Sequence, residues 1–192
     1  DVTIAALQRE RPGKKCYVFG TRSFYAQLRS AGIPVTDRPD SDVDILLCGF
    51  DRELTFQKLE DACILLNRGA EFWATNPDWV CPTWYGSVPD CGSVCRMLTT
   101  ATGRTPRFLG KPQPDMVHLA MTRTGFAPEQ TVLLGDRLYT DIACGKNAGV
   151  DTVFVLSGEG TEADIETFGV QPTWVRRDIA ELLQELQKTE EN

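Results

Sequence analysis

The chain has 192 residues, 42% of them hydrophobic and 24% charged, which suits one ordinary domain or two small ones and is too apolar for general disorder. Lys plus Arg number 20 against 27 Asp plus Glu, a net charge of −7 that excludes wrapping nucleic acid on a basic face and excludes a polybasic membrane anchor. No apolar run approaches the roughly 20 residues that span a bilayer, and no charged start followed by an apolar stretch marks a signal peptide.

In chain order, short apolar runs alternate with helical stretches. Lys15–Gly20 (KCYVFG) reads as a buried strand, and residues 23–31 read as a helix closed by Gly32 and Pro34. Asp44–Gly49 (DILLCG) is a second strand, Leu54–Asn67 a helix and Glu71–Thr75 (EFWAT) a third strand. A loop rich in Pro, Trp and Gly is expected over residues 76–91, then a helix from about Gly92 to Thr102 ending at Gly103. The alternation resumes with a short strand at Arg107–Leu109, a helix at Pro114–Thr124, a strand at Thr131–Gly135, a helix at Tyr139–Asn147 and a strand at Thr152–Leu156. Weaker signals close the chain: a helix near residues 162–168, extended PTWV at Pro172–Val175, a helix at Ile179–Leu186 and a frayed tail from Lys188 to Asn192. Apolar strands without polar alternation, each followed by a helix, predict an α/β fold with a parallel sheet covered on both faces. The alternating units fall into two blocks, before and after roughly Thr105.

Seven scattered cysteines, an odd number, suit a reducing cytoplasm better than a disulfide framework. Cys81, Cys91 and Cys95 raise the question of zinc. No CxxC pair exists, however, and the single histidine, His118, lies on a separate predicted helix, so buried free thiols are the expected reading. Trp73, Trp79, Trp84 and Tyr85 crowd into 13 residues. Packing is the expectation for this group, with a stacking surface for a flat substrate as the alternative.

In open parallel sheets, ligands bind where strands end and the following loops begin. TVLLGDRLYTDI delivers Asp136 at the end of an apolar strand and Asp141 in the first turn of the next helix. Two hard carboxylates there suit Mg²⁺, although either could simply cap the helix. FLGKPQP ends a short strand at Gly110 and presents Lys111, which suits a phosphate or a carboxylate nucleophile and could equally be a solvated lysine. Together, Lys111, Asp136 and Asp141 have the composition of a phosphoryl-transfer site.

GKPQP followed by VLLGDRLYTDI resembles the third and fourth motifs of the haloacid dehalogenase-like (HAD) phosphatases, and most closely the NagD-like, p-nitrophenylphosphatase branch. EFWATNPD, the Gly-Ser-Val at residues 92–94, ATGR at residues 101–104 and LSGEGT at residues 156–161 follow that branch in order and spacing. The resemblance spans nearly the whole chain. It implies a Mg²⁺-dependent phosphomonoesterase for a small phosphorylated metabolite, a nucleotide or sugar phosphate, with p-nitrophenyl phosphate as a test substrate. It also implies an α/β cap domain over residues 1–105 and the later part of a Rossmann-like core over residues 106–192. By that resemblance Lys111 steadies nucleophile and phosphate, Asp136 holds Mg²⁺, Asp141 supports Lys111 or a metal-bound water, and Asn76 and Asp78 lie on a cap loop near the substrate.

The family's attacking aspartate comes from an N-terminal DxD motif that precedes the cap. Asp42 and Asp44, in SDVDILL, mimic DxD but come before the strand's apolar run, at the wrong end for attack. With a start at Asp1 rather than Met, the expectation is a chain lacking that motif. Such a chain would associate with the missing N-terminal segment or with a second copy. The alternatives are a non-catalytic module that binds a phospholigand or a protein, and a two-component receiver domain, which the placement of the acids fits poorly. Asp90, in PDCGS, stands where the broader family often has Gly.

Overall fold

The computed structural model describes residues 2–190, which divide into two compact units between Gly110 and Lys111. The first unit opens with a helix that the sequence pattern did not signal, α1 (Val2–Glu10). It continues through β1 (Cys16–Phe19), α2 (Arg22–Ser30), β2 (Val35–Thr36), β3 (Ile45–Cys48), α3 (Phe56–Asn67), β4 (Glu71–Ala74), β5 (Val80–Thr83), β6 (Gly86–Pro89), α4 (Cys91–Thr102) and β7 (Arg107–Phe108). Five of its strands make one wholly parallel sheet in the order β2-β1-β3-β4-β7. The strands alternate between two buried faces. Tyr17, Phe19, Leu46, Phe72 and Ala74 pack with Leu65, Leu66 and Leu98 of α3 and α4. Val18, Ile45, Leu47 and Trp73 pack with Leu7 and Leu28 of α1 and α2. Burial on both faces explains why these strands read as continuous apolar runs.

Local signals set the helix ends. Thr21 and Thr55 cap α2 and α3 by accepting from Phe24 N–H at 3.2 Å and Lys58 N–H at 3.4 Å. Gly103 closes α4 at φ +70°, a left-handed conformation that a side chain disfavours.

The segment expected as a loop contains the antiparallel hairpin β5–β6, with Trp84 and Tyr85 at its tip. Pro82 and Pro89 inside the strands mask it in the sequence, and its tip lacks the usual Asn-Gly or Asp-Gly pair. Gly86, at φ +126°, supplies the positive dihedral the turn requires.

The second unit contains α5 (Asp115–Thr124), β8 (Val132–Gly135), α6 (Ala143–Ala148), β9 (Asp151–Val155), α7 (Ala163–Phe168), β10 (Trp174–Arg176) and α8 (Ile179–Glu190). Its three strands are parallel, in the order β10-β9-β8, so among the described residues β8 is an edge. The helix expected at Tyr139–Asn147 begins as a π-helical turn, Leu138–Ile142, and only then continues as α6. Val117, Cys144, Ala148 and Val150 form one apolar cluster, and Leu138, Ile142 and Phe154 another. α8 runs through Lys188 to Glu190; the remainder of the tail expected to fray lies outside the described residues. No helix among the described residues is long and apolar enough to cross a membrane.

Candidate phosphoryl-transfer site

In the second unit, β8 ends at Gly135, and the next residue is Asp136. The strand's exit loop turns immediately into the π-helical turn, whose wider winding carries Asp141 back over that exit. Asp141 N–H donates to Arg137 O at 2.9 Å, and Arg137 N–H donates to Asp141 Oδ2 at 3.2 Å. Gly135 permits this return. A Cβ built there would collide with the Asp141 side chain. The other carboxylate oxygen of Asp141, Oδ1, accepts from Lys111 Nζ in a close ion pair. The Asp141 side chain keeps only 9% of its exposure and that of Lys111 keeps 36%, so the pair is partly withdrawn from water. π-helical turns of this kind are frequent at functional sites.

Asp136 is enclosed by the segment after β9. Glu159 N–H donates to Asp136 Oδ2 at 2.9 Å, and Gly160 N–H to Asp136 O at 3.0 Å. A Cβ at Gly158 would overlap the Asp136 carboxyl group, so this close approach requires glycine. Arg137 binds Glu159, with Nε 2.7 Å from Oε2, and ties the two loops together. The two glycines flanking Glu159 in LSGEGT are the local sequence signal for this close approach.

These residues fit a hard divalent cation. Asp136 Oδ1 has no protein partner among the described residues, and the Gly158 cradle fixes the carboxylate without covering it. Carboxylate oxygen with room for water and phosphate is the donor chemistry Mg²⁺ takes. The structure brings Lys111, Asp136 and Asp141 together within one unit.

Asn76 and Asp78 belong to the first unit, on the loop leaving β4. Asp78 N–H donates to Asn76 Oδ1 at 3.2 Å, and Gly92 N–H donates to Asp78 O at 2.8 Å, which pins the loop to the start of α4. Asp90 is the residue preceding that helix, with its side chain accepting from Cys91 N–H. Its φ of −105° is open to any L-residue, so this position does not need the glycine common in the wider family. Burial pushes the Asp90 carboxyl above its ordinary range, opposed by its bond to Cys91 N–H.

Asp42 and Asp44 lie before β3, at the amino end of the sheet. Asp42 pairs with Lys15 Nζ at 2.8 Å. Asp44 pairs with Lys14 Nζ at 2.8 Å and accepts from Lys15 N–H at 2.9 Å. Both acids are ion-pair partners of the β1 approach and stand away from the carboxyl ends of the strands.

The family model described as HAD-hydrolase-like matches residues 108–182, the stretch that carries the lysine and both acids. The acid sugar phosphatase of Staphylococcus aureus is 32% identical over 186 residues, covering 97% of this chain and 71% of that protein. The chain belongs to the haloacid dehalogenase-like phosphatases.

Solved structures agree with the NagD-like, p-nitrophenylphosphatase branch of that family of hydrolases. The 4-nitrophenylphosphatase of Thermotoga maritima superposes with a TM-score of 0.86 at 34% identity, over 95% of this chain and 69% of that one. The glycerol phosphate phosphatase of Mycobacterium tuberculosis, solved with magnesium, superposes with a TM-score of 0.87 at 29% identity, over 94% of this chain and 55% of that one.

Proposed function

We propose that residues 111–192 carry the lysine and metal-acid half of a Mg²⁺-dependent phosphomonoesterase site for a small phosphorylated metabolite, a sugar phosphate or nucleotide. The observation that carries this is Lys111 held by Asp141 beside the strand exit that delivers Asp136. Lys111 would offset the charge of the phosphoryl oxygens, and Asp141 would hold its ammonium in place. Asp136 would hold Mg²⁺, which when bound neutralises developing charge on the phosphoryl group. Residues 1–110 would act as the cap, with Asn76 and Asp78 near the substrate, and the protein would work in the cytoplasm. The acid sugar phosphatase and glycerol phosphate phosphatase relatives support the substrate class.

The attacking aspartate would come from a strand outside residues 1–192. Asp42 and Asp44 lie at the amino end of the first unit's own sheet, and among the described residues β8, which leads into Asp136, has one unpaired edge. A parallel strand added to that edge, ending in aspartate, would set its carboxylate next to Asp136. A second copy would be the competing occupant of the same edge. For residues 1–192 alone, the same geometry favours binding of a phospholigand without turnover.

The test is hydrolysis of p-nitrophenyl phosphate with and without Mg²⁺. The chain as written should show none. The chain extended at its N-terminus by a family DxD segment should turn over, and D136N in that longer chain should abolish the activity. Turnover by residues 1–192 that disappears in D136N would overturn the external nucleophile. A longer chain that stays inactive would overturn the phosphatase reading itself.

A further inference from the structure

The sequence raises the question of zinc for Cys81, Cys91 and Cys95, but the fold assembles a different trio. Cys81 sits partly exposed on β5, while Cys48, the last residue of β3, meets Cys91 and Cys95 of α4. Their three Sγ atoms all lie within 4.8 Å of one another, and the Cys91–Cys95 separation is 3.9 Å. Exposure is 0% for Cys48, 0% for Cys91 and 1% for Cys95. Cys91 and Cys95 are one helical turn apart on one face of α4, and Cys48 is fixed at the end of a central strand. The sulfurs are therefore held on rigid elements, as a preorganised metal site requires. Cys91 Sγ is also 3.9 Å from the Thr75 hydroxyl, which donates to it, so this sulfur has a polar neighbour.

We propose that Cys48, Cys91 and Cys95 form a three-coordinate thiolate site for a soft monovalent d¹⁰ cation of the Cu(I) class. Three sulfurs around one ion at about 2.3 Å would stand about 4.0 Å apart in a plane, close to the observed spacing. Among the described residues no fourth ligand joins the cluster, whereas structural zinc is almost always four-coordinate. Soft thiolates select Cu(I), and the apolar shell of Tyr17, Leu98 and Ala74 in the same core would exclude competing water and oxidant. Binding exchanges thiol protons for metal–sulfur bonds and needs no redox step. The protons pass to solvent as the ion enters. The site lies wholly within the first unit and is separate from Lys111, Asp136 and Asp141.

The experiment is an anaerobic titration of the reduced chain with Cu(I) buffered by bicinchoninate. The expected result is one tightly held Cu(I) per chain, an ultraviolet thiolate-to-copper charge-transfer band, and an X-ray absorption shell of three sulfurs. C91S and C95A should each weaken binding by at least about 100-fold, while C63S and C81S should leave it unchanged. Amide exchange of β3 in each variant establishes that the sheet is intact, and C48A replaces any variant whose sheet is not. Copper uptake that persists in C91S and C95A, uptake lost in C63S or C81S, or tighter retention of Zn²⁺ than of Cu(I) would overturn the proposal.

Discussion

The Lys111 ammonium sits on Asp141 Oδ1 while the Arg137 amide holds the other oxygen of the same carboxylate, so one buried acid joins the strand-exit loop to the start of the second unit. Removing Lys111 leaves Asp141 partly desolvated without its counter-charge. Hydrogen bonds to charged groups contribute about 1.5–3 kcal/mol, and the partial exposure of Lys111 brings the expected loss to the lower end of that range. K111M should therefore raise hydrogen exchange of the β8 and β9 amides by roughly tenfold, about 1.4 kcal/mol. K111R, which keeps the charge, should recover part of the protection. Unchanged exchange in K111M would show that the pair contributes no stability.

Gly158 reports on Asp136, the proposed Mg²⁺ ligand, without touching its charge. Its backbone is not left-handed, and the nearest atoms an alanine Cβ would meet there are those of the Asp136 side chain. G158A should push that carboxylate aside and weaken Mg²⁺ binding by at least about tenfold, within the 10–100-fold typical of the shell around a metal ligand. Calorimetric titration of Mg²⁺ into the wild-type chain and G158A is the measurement. Equal affinities would remove Asp136 from the cation site.

A pH signature is expected in the first unit. Arg107, with Arg9 assisting, holds the Glu10 carboxyl down to about 2, from an ordinary value near 4.5. This joins the end of α1 to the edge strand β7. Because the folded-state value is depressed, the stabilisation is fully present above about pH 4.5 and is lost as pH falls toward 2. A carbon-detected NMR titration should place the Glu10 midpoint near 2, and R107Q should move it up toward the ordinary range. A midpoint near 4.5 in the wild-type chain would show that the pair is not formed in solution.

The parallel strands were legible because burial on both faces leaves continuous apolar runs such as CYVF and ILLC. Lys111, Asp136 and Asp141 were legible because each falls where an apolar run stops. Other features depended on information the pattern does not hold. The hairpin at residues 80–89 was hidden by prolines that its isolated two-strand pairing tolerates. α1 has mixed composition, and its small buried face depends on Ala6 and Leu7 meeting the sheet. The wrapping of Asp136 by Gly158, Glu159 and Gly160 is a contact across more than 20 residues, beyond any local period. The Cys48–Cys91–Cys95 cluster likewise needs β3 and the start of α4 to meet at one end of a sheet.

The aromatic group divides differently from the packing expected of it. Trp73 is 1% exposed, donates Nε1–H to Glu71 Oε2 at 3.0 Å, and carries the Arg107 guanidinium 4.6 Å from its ring centroid. Trp84 is 94% exposed at the hairpin tip, touching Tyr85 edge-on at 5.1 Å, and Trp79 is also exposed. Packing therefore accounts for Trp73 alone. Truncating a buried tryptophan costs about 3–5 kcal/mol, whereas surface changes stay within about 0.5 kcal/mol. W73A should lower the urea midpoint of the first unit sharply, and W84A should leave it in place. If the hairpin tip meets a flat substrate, W84A should also raise KM for p-nitrophenyl phosphate relative to glycerol phosphate in an N-terminally extended, active chain. An equal effect on both substrates would assign Trp84 no stacking role, and a large loss of stability in W84A would mean the tip is buried in solution.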